Sequence, residues 1–105
     1  MGNRYPFTGN AKAGSLSSTT QGDVFEAQPG QLVYVSLSGT WAGTAKVQRS
    51  YDGGATWYDM TVGGSAWASF TANCDEAVDE TTRFGIQYRI DFTRTSGTLN
   101  YRLGH

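Results

Sequence analysis

Residues 86–94, IQYRIDFTR, alternate without a break: Ile86, Tyr88, Ile90 and Phe92 face one way, Gln87, Arg89, Asp91 and Thr93 the other. A helix would scatter these apolar side chains around its circumference, whereas a strand sends successive side chains to opposite faces. The segment is therefore a strand with one covered and one wet face. The same alternation returns in 32–40 (Val33, Val35, Leu37 inward), 44–52 (Ala45, Val47, Arg49 on one face) and 98–103 (Leu99, Tyr101, Leu103 inward). Further strands are predicted over 55–62 and 66–72, separated by Gly63-Gly64, and an acidic loop is predicted over 74–83. Clean alternation in six or seven short strands predicts an all-β chain, a single antiparallel β-sandwich of Ig-like or jelly-roll type.

The chain has 105 residues, enough for one domain with one core. Its 14 glycines and two prolines suit tight turns between strands. Residues 1–23 contain GNAKAGSLSSTTQGD, which is too poor in apolar side chains to order by itself, and are predicted to be an extended polar N-terminal arm. The sandwich is expected over 24–105. A formal net charge of -1 argues against a nucleic-acid-coating protein. Cys74 is the single cysteine, so neither an internal disulfide nor a cysteine-based metal site can form. No apolar run approaches the ~20 residues that span a bilayer, and the N-terminus lacks the apolar stretch of a signal peptide. A soluble protein made in a reducing cytoplasm is expected, without cofactor or membrane partner.

Residues 50–57, SYDGGATW, match the pattern Ser-x-Asp-x-Gly-x-Thr-Trp. The match resembles the Asp-box, a hairpin signature repeated in sialidases and other β-propeller glycosidases. A propeller needs several blades of roughly 40–45 residues each, so this chain is too short to be one. The motif reads instead as a turn device. Asp52 is placed to accept backbone amides, Gly53 and Gly54 to take positive φ, Ser50 and Thr56 to tie the strands, and Trp57 to pack on the sheet.

Catalysis would need convergent groups, and the sole histidine, His105, is the last residue, where chain ends tend to be mobile. Asp75, Glu76, Asp79 and Glu80 offer oxygen ligands to a hard cation, but without EF-hand spacing, and read as a solvated acidic loop. No catalytic, cofactor-binding or metal residue is assigned. Trp41, Trp67 and Tyr58, with Tyr51, are candidates for an aromatic platform that stacks on sugar rings; the competing reading places such rings in a core or interface. Arg89, Arg94 and Arg102, with Arg49 adjacent, suit ion pairs with a neighbour's 75–80 segment better than nucleic acid.

The run SGTWAGTAKVQRSYDGGATWYDM and the later YRIDFTRTSGTLNYRL together are similar to small β-sandwich structural proteins of tailed bacteriophages. The matching stretches are 38–44, 48–57, 88–89 and 96–103, within residues 30–103. The resemblance implies a non-enzymatic virion protein assembled in the bacterial host cytoplasm. It points to a capsid decoration (cement) protein bound across major capsid protein junctions as a homo-oligomer, with a trimer favoured. Alternatives are a tail, head–tail-joining or baseplate-associated protein, or a carbohydrate-binding module of a host-recognition appendage. "SGT" at 38–40 and 96–98 is read as shared turn chemistry, not as a repeat.

Overall fold

The computed structural model describes residues 11–81 and 84–105. Twelve strands follow in order: β1 (Lys12–Leu16), β2 (Thr20–Gln21), β3 (Phe25–Glu26), β4 (Leu32–Ser38), β5 (Trp41–Ser50), β6 (Tyr58–Asp59), β7 (Thr61–Val62), β8 (Ser65–Ala66), β9 (Ser69–Phe70), β10 (Cys74–Glu80), β11 (Gln87–Gly97) and β12 (Leu99–Gly104). One main sheet runs β1-β12-β4-β10 and the other β2-β11-β5-β6, with β3 also on β11 and β9 also on β5, and β7 and β8 form a separate two-stranded sheet. All pairings are antiparallel. The expected antiparallel sandwich is the observed fold.

Its plan is a four-stranded ribbon folded double. The runs 12–27, 86–104, 32–50 and 69–80 lie side by side, and each starts in one sheet and finishes in the other. Inward side chains of both halves form one cluster around Val33, Val35, Val47, Tyr88, Ile90, Phe92, Leu99 and Leu103. These are the residues that the alternation assigns to the covered face.

The fold is made at a corner where the two Ser-Gly-Thr segments meet. Thr98 N–H donates to Thr40 O at 2.9 Å, and Gly97 sits opposite Trp41 in the register. Gly39 has φ +94° and Gly97 φ +78°. A Cβ on Gly39 would lie 2.8 Å from Thr98 O, and one on Gly97 2.2 Å from Thr40 O. Each glycine thus makes room for the other segment's carbonyl, and only glycine permits both the angle and the approach. The recurrence of SGT is one corner read twice.

Three expectations change. The acidic 74–83 stretch is not a loop: Cys74–Glu80 is the edge strand β10, paired to β4 with a bulge between Ala77 and Asp79. Its charges mark an edge with water beyond it, a common protection against stray pairing, and they masked the strand. The 55–62 strand is broken into β6 and β7, and 66–72 into parts of β8 and β9, because Met60 and Ala68 turn into the core and Ala68 adopts φ +55°. The arm is the third. Residues 12–16 and 20–21 belong to the sheets, paired to β12 and β11, so the sandwich starts well before residue 24. This run has few apolar side chains because it receives one: it lies against Tyr101, whose ring is 2.7 Å from where a Gly22 Cβ would stand and whose hydroxyl accepts from Asp23 N–H at 2.9 Å. Residues 1–10 of the predicted arm, and 82–83, lie outside the described residues.

Candidate functional site

At the corner end, glycines and hydroxyls close the ribbon. The opposite end is where β5 runs out into the Asp-box and β10 runs out beside it. Ser50, the last residue of β5, is fully buried. Its Oγ donates to Asp52 Oδ1 at 2.8 Å and accepts from Gly54 N–H at 2.9 Å. Asp52 Oδ1 also accepts Thr56 N–H at 2.9 Å. Those bonds, Thr56's first, hold the Asp52 carboxyl below the ordinary carboxylate range. Gly53 and Gly54 have φ +73° and +94°. Asp52 and the two glycines act as the sequence indicates, but Ser50 bonds Asp52 and Gly54 within the turn instead of tying the strands, and Thr56 meets Asp52 through its backbone N–H. Trp57 packs on the outside of the sheet, half-buried, with the Arg89 guanidinium 4.4 Å from its ring centre.

Beside this turn Arg49 points inward and reaches the other sheet. Its Nη1 lies 2.8 Å from Asp79 Oδ2, and both side chains are largely covered. Tyr88 donates to the same carboxylate oxygen at 2.8 Å, and since that uses its only proton, Thr81 Oγ1 at 3.0 Å is the donor to Tyr88. Burial pushes the Tyr88 phenol up, the Thr81 bond opposes this, and the Asp79 carboxylate adds to it. Burial alone would lower the Arg49 pKa, but the hydrogen bond and charge of Asp79 reverse the sign and raise it. The group is a clamp between sheets. It floors an open cleft of about 290 Å³ that Tyr51, Glu80 and Ile86 complete. It ties the two sheets together, and the Arg49 Nε within it is buried with no hydrogen-bond partner among the described residues. The alternation of β5 places Arg49 inward, but nothing in the sequence marks Asp79 as its partner across the sandwich.

The arginines singled out above do not share a surface. Arg49 is in the clamp, and Arg89 is on the outside of the β11 sheet, bonded to Gln48 at 2.9 Å. Arg94 bonds Gly97 O near the corner, and Arg102 is on the outside of the β12 sheet, bonded to His105 O at 3.2 Å. The carboxylates divide as well: Asp75 accepts from Ser36 Oγ at 2.8 Å on the outer face, Asp79 is in the clamp, and Glu76 and Glu80 are exposed along β10.

Of the aromatic candidates, Tyr51 and Tyr58 come together, their ring centres 6.4 Å apart. Trp41 packs edge-on to Phe92 at 5.7 Å and donates to Asn73 Oδ1 at 2.7 Å, so it closes the core at the corner. Tyr58 pairs with Arg49, eight residues further along β5 and roughly 26 Å away. Trp67 donates to Val78 O at 2.8 Å. No single sugar platform joins these three. His105 is held rather than loose: its ring stands edge-on to Phe25 at 5.1 Å, with Nδ1 3.1 Å from Leu32 O. Among the described residues, no group of three His, Cys, Asp or Glu is arranged to hold a metal ion.

Protein-family models, curated proteins and solved structures were all compared with this chain, and none matches it.

Proposed function

We propose that this chain is a non-enzymatic structural protein of a tailed-bacteriophage particle, a decoration protein that stabilises the head by docking across junctions of the major capsid protein. The reading starts from the resemblance of 38–57 and 88–103. The observation that carries it lies at the Asp-box end. There most of the polar groups are bonded to one another, with Arg49 Nε a buried exception, while Tyr51, Tyr58 and Phe84 stand 48%, 56% and 82% exposed. Large exposed rings on a rim whose polar groups are mostly paired suit a surface that docks, since apolar and aromatic area drives association. Shallow contacts repeated over a shell hold by avidity, without tight binding at any one place.

An image reconstruction of the intact particle tests this. The expected result is density for the sandwich at capsid subunit junctions, and heads lacking the protein that rupture at lower temperature. Density confined to tail or baseplate, or a head of unchanged heat resistance without the protein, would overturn the decoration role.

A further inference from the structure

We infer that the outer face of the β1-β12-β4-β10 sheet binds a second copy of the same chain, face to face about a two-fold axis running along β4. The inference concerns the free protein in solution and does not depend on the particle role.

The two outer faces differ in kind. On the β11 and β5 side, the long side chains bond one another across the strands, Gln48 holding both Asp59 and Arg89 while Lys46 pairs with Asp59. On the β12 and β4 side the cross-strand bonds join short side chains, Ser15 with Asn100 and Ser36 with Asp75, and Ala13, Ser38 and Ala77 leave the sheet flat. Leu32 and Tyr34 rise from it, 44% and 39% exposed. The face spans about 19 Å across four strands and about 17 Å along five residues.

Its charges are placed symmetrically. Ser36 on β4 is the register partner of Arg102 on β12 and of Asp75 on β10. The two opposite charges therefore flank Ser36 at one strand's distance each, about 9.6 Å apart, and they bond elsewhere than to each other, Arg102 to His105 O and Asp75 to Ser36 Oγ. A two-fold axis along β4 exchanges the flanks. Arg102 then lies over Asp75 of the partner subunit, and Asp75 over the partner's Arg102, so that one surface makes two ion pairs. Residues on β4 fall on the axis, where Tyr34 meets its own mate. This is the self-complementarity that an isologous contact requires, with aligned sheets about 10 Å apart as in any sandwich. A face of this size is smaller than the ~800 Å² per partner of standard interfaces, so the pair is weak, with a Kd of micromolar order or above.

Sedimentation equilibrium of the full chain tests the proposal. The wild type is expected to form dimers as its concentration rises through the micromolar range, and to lose them in high salt. Arg102→Asp alone and Asp75→Arg alone each put like charges face to face and are expected to weaken dimerisation at least ~10-fold. Both side chains are exposed and each substitution gives up one surface hydrogen bond, so each variant should stay folded with only a small fall in unfolding temperature. The decisive sample is the equimolar mixture of the two variants. It restores both ion pairs and should dimerise although neither component does. A wild type that stays monomeric at millimolar concentration, or that forms trimers, would overturn the proposal. So would a mixture that remains monomeric beside a dimerising wild type.

Discussion

The two outer faces of this sandwich are built from the same alternation and differ in what their side chains do with one another. On the β11 and β5 side, Lys46 pairs with Asp59 at 3.1 Å, Gln48 donates to Asp59 at 2.8 Å and accepts from Arg89 at 2.9 Å. Arg89 in turn covers Trp57, and Gln21 donates to Asp91 at 2.8 Å. That face spends its polarity on itself. On the β12 and β4 side, Arg102 and Asp75 are held two strands apart and Tyr34 stands out from a flat floor. The lesson is that wet faces are not equivalent: one ties its long side chains together across the strands, and the other keeps its bonds among short side chains and leaves a flat, open surface.

Both faces hang on the corner, so the largest effect should come from there. Gly97→Ala drives a Cβ into Thr40 O at a positive φ and is expected to cost about 4 kcal/mol or leave the chain unfolded, as read by chemical denaturation. A stable Gly97→Ala protein would mean that the two SGT segments do not make the bend. Next comes the clamp that ties the sheets together at the other end. Asp79→Ala strands the Arg49 charge among covered groups and should lower stability by about 2 kcal/mol, discounted for the partial exposure of the pair. Removal of a lock on the self-satisfied face should matter less. Arg89→Ala uncovers Trp57 and frees Gln48, for a loss of about 1 kcal/mol and no change in self-association.

Acid should separate the regions more gently. The bonds from Thr56 and Ser50 depress Asp52, and those from Gln48 and Lys46 depress Asp59. A depressed carboxyl contributes stability that is complete above its unfolded pKa, about 4, and is lost as pH falls through the lower folded value. Thermal unfolding followed from pH 7 downward should therefore hold steady to about pH 4 and then decline. Asp52→Asn and Asp59→Asn should each flatten that decline.

Much of the architecture could be read from period two alone. Ile86, Tyr88, Ile90 and Phe92 name the floor of one sheet, and Leu99, Tyr101 and Leu103 that of the other. The Asp-box was legible because its bonds are local, within six residues of Ser50. Long-range partnerships were not. Asp75 and Asp79 look alike in sequence, yet one faces out beside Ser36 and the other is clamped across the core, because the bulge after Ala77 shifts the register. Residues 12–21 looked unable to fold because the apolar surface they cover belongs to Tyr101, some eighty residues away. The SGT pair looked like two turns because nothing local says that the segments touch.

The account of self-association rests on the claim that two copies meet through the β12 and β4 face. Amide chemical shifts followed by NMR as the free protein is concentrated test it most directly. Tyr34, Ser36, Asp75 and Arg102 should move together along one binding curve while Gln48, Arg89 and Asp91 stay fixed. Movement centred on Gln48 and Arg89, or no movement anywhere, would contradict it.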